Sequence, residues 1–168
     1  MDVKVTGTVF NVKAYKGEAT TETSLISGSV EILLASDTAI KYFLKENQKL
    51  ILKSIAPTIV NVAKDSKEKT TAKESITIIP TRIIAGTDIN LETSWTRNIL
   101  SFADERFDMA ALMIERWYNV KIEFKNQNWQ GKFLSGTFEN ETLQGALMAL
   151  KYSTGFNFKI DGNKVTIY

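Results

Sequence analysis

Between Phe102 and Ile160 the chain writes one pattern twice. A shift of 36 residues lays Phe102 on Phe138, Phe107 on Leu143, Ala110 on Ala146, Ala111 on Leu147 and Ile114 on Leu150. The same shift lays Val120 on Phe156, Ile122 on Phe158 and Phe124 on Ile160, without a gap. Polar punctuation repeats as well, Asp104 falling on Asn140 and Asn119 on Gly155. In each copy an alternating run precedes a helical stripe and a second alternating run follows it. The C-terminal part should therefore be a small layered module of two βαβ units.

In the first copy Ile99–Phe102 reads as a strand and Asp104 as a helix N-cap, a position where a side-chain oxygen accepts an otherwise unpaired backbone N–H. Phe107, Ala110, Ala111, Ile114, Trp117 and Tyr118 then recur on one helical face, and Asn119 ends the helix. The second copy uses Phe133–Phe138 as strand, Asn140 as cap, Leu143, Ala146, Leu147 and Leu150 as stripe, and Gly155 as stop. Phe156–Ile160 and Lys164–Tyr168 follow around Asp161-Gly162-Asn163, a hairpin signal.

Ahead of the repeat the period is two. Phe10, Val12 and Ala14 alternate with polar neighbours and are expected inward. Inward parity changes across Gly7, and again near Gly28, where Thr21, Thr23 and Leu25 give way to Val30, Ile32 and Leu34, as a bulge requires. Lys16-Gly17 reads as the first turn, and Lys41–Leu44 and Lys49–Lys53 as a pair of strands around Lys45–Gln48. Ile59–Val62 and Ile76–Ile79 read as strands flanking a polar loop, Lys64–Lys73. Thr81–Ser94 adds one or two short strands before the boundary at Trp95–Asn98. The fold class is α+β: an antiparallel β-sandwich of jelly-roll type over residues 1–95, then the βαβ-βαβ module over 96–168.

At 168 residues the chain can bury roughly 70% of its unfolded surface. It holds neither His nor Cys, which removes Ser-His-Asp and Cys-His catalysis, imidazole or thiolate metal sites, and disulfides. The net charge of +2 argues against a general nucleic-acid binder. Glu115, Arg116 and Glu123 lie opposite the buried stripe, where charged residues belong without any catalytic role. No enzyme activity, metal or cofactor is expected.

Trp117 belongs to a core stripe and Trp95 to a junction where a large ring packs, which leaves Trp129, in the loop 126–131, as the one free tryptophan. A carbohydrate-binding module built on Trp129 and nearby tyrosines is the alternative reading. Met109, Leu112 and Met113 of the first helix and Met148 and Tyr152 of the second lie off the core stripes. Such Met- and aromatic-rich faces either dock a partner or are covered within the chain.

The runs Val5-Thr6-Gly7-Thr8-Val9-Phe10-Asn11-Val12 and Leu25-Ile26-Ser27-Gly28-Ser29-Val30-Glu31-Ile32 resemble the periplasmic β domain of FecR-type anti-sigma factors. Trp95, Leu100-Ser101-Phe102, Glu115–Ile122 and Phe133–Phe138 are similar to that family's C-terminal region, itself like the short secretin/TonB N-terminal signalling fold. The resemblance implies a periplasmic sensor and relay. It would receive a signal from a TonB-dependent outer-membrane transducer and regulate an extracytoplasmic-function sigma factor through a cytoplasmic segment, in a protein crossing the inner membrane once. That cytoplasmic segment, the membrane helix and the β-domain portion that normally precedes Gly7-Thr8 are not in this sequence, so a fragment with an incomplete β half is expected. An open edge in that half invites a homodimer. The transducer is expected to add a strand to a sheet edge. The candidate edges are Phe133–Phe138, through Phe133, Ser135 and Thr137, and Lys164–Tyr168, through Lys164, Thr166 and Tyr168, with Met109, Leu112, Met148 and Tyr152 as an apolar helix surface.

Overall fold

The computed structural model describes residues 2–16, 18–34, 40–54 and 74–168. Gly17, the strand expected at Ile59–Val62 and the polar run Lys64–Lys73 lie outside the described residues. The chain divides into two compact units, Met1–Arg82 and Ile83–Tyr168. That division precedes the Trp95 boundary because residues 83–98 lead directly into the repeat. Ile83 bridges Asn90, and in place of further strands a 3-10 helix, Leu91–Arg97, runs to Asn98 and into the next strand.

The first unit holds β1 (Asp2–Lys13), β2 (Thr20–Leu33), β3 (Lys41–Leu44), β4 (Gln48–Ser54) and β5 (Glu74–Pro80). They make one antiparallel sheet in the order β1-β2-β4-β5, with β3 also against β2. The strands around Lys45–Gln48 do not pair with each other as the sequence suggested. Instead β4 pairs with the first half of β2, from Thr20↔Lys53 to Leu25↔Gln48, and β3 pairs with its second half, from Val30↔Leu44 to Leu33↔Lys41.

The break between those halves is the Gly28 kink. Gly28 has φ +94° and its N–H donates to Glu46 Oε1 at 3.0 Å, which holds the turn against the kink. Gly7 (φ +60°) lies across from it on β1, where the register shifts between Thr6 and Phe10. Val30, Ile32 and Leu34 are buried after the kink as expected, and before it Thr23 and Leu25 are buried together with Ser24 between them, while Thr21 is half-buried. Leu25 and Leu50 from one side of the kink join Val30, Ile32, Leu34 and Leu44 from the other in a single core. Among the described residues, then, one bent sheet closes over its own core and takes the place of two facing jelly-roll sheets. Phe10, Val12 and Ala14 are exposed, not inward, and none of them joins the core of this unit among the described residues.

The second unit holds β6 (Ile99–Arg106), α1 (Phe107–Tyr118), β7 (Lys121–Phe124), β8 (Phe133–Glu139), α2 (Leu143–Thr154), β9 (Phe158–Asp161) and β10 (Lys164–Ile167). The strand-helix-strand order of each copy is as expected. The pairing differs from a βαβ crossover, since each copy sends its first strand to one sheet and its last to another. β6 and β8 pair antiparallel as a two-stranded sheet. β7-β10-β9 form a second sheet, with β10 parallel to β7 and antiparallel to β9.

Helix stripes fill the core between these elements: Phe107, Ala110, Ala111 and Ile114 from α1, Ala146, Leu147 and Leu150 from α2. Phe107 is fully buried, with Phe124 and Phe156 at ring-centroid distances of 5.0 and 4.9 Å. Trp117, Tyr118 and Leu143 pack on its margin. The C-terminal stops are correct, Asn119 (φ +53°) and Gly155 (φ +86°) both being left-handed.

The N-caps are not Asp104 and Asn140 but the residues two positions later, Arg106 and Thr142. Asp104 (φ +54°), inside β6, and Asn140 (φ +52°), just past the end of β8, use their tolerance of left-handed geometry there instead. At Asp104 this makes a bulge, with the register of β6 shifting between Phe102 and Glu105.

A β-carbon on Gly28 would meet Gly7 O at 2.8 Å, whereas one on Gly7 would meet nothing within 4 Å. Gly7→Ala should cost about 1 kcal/mol for the left-handed conformation alone. Gly28→Ala should cost about 3 kcal/mol, conformation and clash together. Urea unfolding of the two variants, read by their midpoints, checks the difference.

Candidate docking edge

The two copies of the repeat meet at the β6–β8 pair. Ser101 and Thr137, equivalent under the 36-residue shift, stand opposite each other with hydroxyl oxygens 2.9 Å apart. On the inner face Leu100 lies opposite Phe138 and Phe102 opposite Gly136, and the rings of Phe102 and Phe138 meet edge-on at 6.2 Å. Gly136 is small by necessity, since a β-carbon there would sit 3.0 Å from the Phe138 ring. Large against small on this face, hydroxyl against hydroxyl on the other, set the register.

Both strands of this sheet are edges, but they are defended differently. β6 is broken by its bulge and ends in Asp104, Glu105 and Arg106. β8 has neither bulge nor proline, and its first six residues, Phe133–Phe138, carry no charge. The edges of the other sheet are charged, with Lys121 and Glu123 on β7 and Lys159 and Asp161 on β9. Native edges are usually blunted by charge, proline or bulges, so among the described residues β8 is the undefended edge of this unit.

Of the residues expected at the docking edge, Phe133 is 58% exposed and free of the core. The hydroxyls of Ser135 and Thr137 are committed inside the sheet. Ser135 Oγ accepts the Asp104 N–H at 2.9 Å, which pins the bulge, and Thr137 Oγ1 meets Ser101. On this edge, therefore, a partner strand would meet backbone and Phe133 more than hydroxyls.

The second candidate edge is overturned. β10 is the central strand of its sheet, with Lys164 paired to Lys121 on one side and Asp161 on the other. Thr166 is flanked likewise by Glu123 and Lys159, and the backbone of Tyr168 exchanges hydrogen bonds with Asn157. Lys164 and Thr166 have no backbone edge to offer, and Tyr168 is engaged by Asn157 on one side. The hairpin signal predicted their pairing with β9, but nothing local marks the parallel partner β7.

On the helices, Met109 and Leu112 are half-buried, and Met113 packs against the core. Met148 and Tyr152, one turn apart on α2, are exposed, Tyr152 by 83%. Trp129 is not free, since it packs on the core with its ring 6.3 Å from Phe156. The carbohydrate platform loses its anchor. Trp95, expected to be packed, is instead 57% exposed.

Glu115 is more than a solvated charge. Its side chain is 14% exposed, and Oε1 accepts the Ile122 N–H at 2.7 Å while Oε2 faces Lys121 at 3.4 Å. Its backbone carbonyl accepts the Asn119 and Val120 N–H groups, so this one residue ties α1 to β7. Among the described residues no three acidic groups gather to hold a metal ion.

The start of β8 is anchored through α1. Phe107 and Asp108 donate their N–H groups to Lys132 O and Gln130 O, and Arg106 stands opposite Phe133. Arg106 Nε and Nη2 grip Asp108 at 3.1 and 2.7 Å, and Asp108 Oδ1 also accepts the Met109 N–H. The hydrogen bond from Arg106 holds the Asp108 carboxyl below its ordinary value. Tyr118 moves upward, first through burial and then through Glu141, whose backbone oxygen accepts its hydroxyl at 3.0 Å.

The whole fold has relatives of known structure. Two crystal structures of a candidate anti-sigma factor from Parabacteroides distasonis superpose with TM-scores of 0.72 and 0.71 at 24% identity. Each match covers 99% of this chain and 66% of that one, so the chain spans about two thirds of the relative's length, and the likeness is one of fold. Residues 99–167 match the family described as FecR, C-terminal, so the segment that holds the repeat is FecR-like, as its residues implied. No curated protein matches the chain.

Because Asp108 is depressed in the fold, its contribution is present above the ordinary carboxylate range and is lost as pH falls through the lowered value. The melting-temperature gap between the parent and Asp108→Asn should be constant near neutrality and close on acidification. Thermal unfolding followed by circular dichroism across that range measures it.

Proposed function

We propose that this chain is the sensing and relay portion of a FecR-type anti-sigma factor, located in the periplasm. It acts by docking and carries out no catalysis. Its second unit receives the signalling domain of a TonB-dependent outer-membrane transducer, and the signal passes to an extracytoplasmic-function sigma factor held by a cytoplasmic segment of the same protein.

The observation that carries this reading is the undefended edge of β8. Among the described residues the two-stranded sheet leaves backbone N–H and C=O groups of β8 without a strand partner, and an added strand satisfies them in the geometry that β6 already sets. The FecR-like match over residues 99–167 supports the choice of a signalling protein as partner. The exposed pair Met148 and Tyr152 and the half-buried Met109 and Leu112 are further contact candidates on the helices, since methionine and aromatic side chains adapt to a docked surface.

The test is a titration of isotope-labelled protein with the periplasmic signalling domain of the transducer encoded beside its gene, read by amide chemical shifts. Shifts should concentrate on Phe133–Glu139. Phe133→Lys should leave the fold intact and weaken binding about tenfold, because a charged edge resists pairing. Shifts confined to β7 or β9, or none at about 1 mM domain, would sink the proposal.

A further inference from the structure

β8 is also complementary to itself. Lys132 precedes its uncharged run, Glu139 ends it and Glu141 follows, and all three residues are exposed. Neither Lys132 nor Glu139 forms an ion pair among the described residues. An antiparallel copy of the same strand brings each basic end to the other's acidic end. A two-fold axis at Gly136 then places Ser135 across from Thr137 of the second copy and Leu134 across from Phe138.

The resulting sheet would run β6-β8-β8-β6. Its two outer edges would be β6, the strand broken by the Asp104 bulge, and the undefended strand would lie inside. Four strands also make a sounder sheet than two, which are marginal by themselves. The requirement that a closed dimer use one patch twice is met by a single strand with opposite charges at its ends.

We infer that β8 is capped, in the free protein, by β8 of a second copy. This rests on the reading of β8 as the transducer's docking edge, for the two occupants then exclude each other. Self-association becomes the resting state, and the transducer strand takes the place of the second copy.

Sedimentation velocity from about 10 to about 500 µM tests it on the chain alone. A concentration-dependent dimer is expected. Glu139→Lys should weaken its association about tenfold, and the exchanged pair Lys132→Glu with Glu139→Lys should restore it. Restoration separates charge pairing from damage to the fold. A parent that stays monomeric to the highest concentration, or a dimer indifferent to both variants, overturns the inference. A monomer that still shifts at Phe133–Glu139 on adding the signalling domain overturns self-capping alone. A dimer whose β8 amides ignore that domain leaves capping standing and removes the docking reading.

Discussion

The antiparallel pairing of β6 with β8 is the contact on which the second unit depends. It is where the two copies of the repeat become one object. Ser101 and Thr137 stand at its centre, and everything else is arranged about them in near-symmetric pairs. Each strand hands its chain to a helix, and each helix hands it to the other sheet. Neither copy could bury its stripe alone, because its own two strands lie in different sheets. The core is shared, drawing its buried residues from both copies.

The same pairing explains the use of asparagine and aspartate. A left-handed residue is needed where each strand turns toward its helix, and Asp104 and Asn140 supply it at equivalent positions. Asn98 and Asn140 then join side chain to side chain at the far end of the pair, 2.5 Å apart. The caps that follow are unequal. Thr142 accepts the Gly145 N–H, whereas Arg106 has no capping bond and Asp108 serves that end of α1 by gripping Arg106 and accepting the Met109 N–H. The two copies share the left-handed backbone geometry and differ in how side chains cap the helix that follows.

In a sheet of two strands every strand is an edge, whereas a larger sheet has strands paired on both sides. β6 is protected by a bulge that Ser135 holds in place. β8 has no such protection, and this asymmetry is the physical basis for reading it as the place where another chain arrives. In the first unit the problem is met differently. Gly7 and Gly28 bend a long hairpin so that one sheet covers its own core.

The sequence by itself determined what is local. Periodicity marked both helices and their buried stripes, the parity change marked the Gly28 kink, and Asn119 and Gly155 marked the helix ends, because each of these follows from neighbours a few residues apart. Phe133–Phe138 as a strand with an exposed aromatic was legible for the same reason. Tertiary structure decided which strands meet. That β10 lies between β7 and β9, that β3 and β4 share β2, and that Trp129 rests on Phe156 depend on contacts between segments distant in the chain. A strand's side chains alternate whether it lies at an edge or in the centre. Its alternation therefore cannot say whether it has one neighbour or two, and only pairing showed that β8, not β10, keeps an edge open.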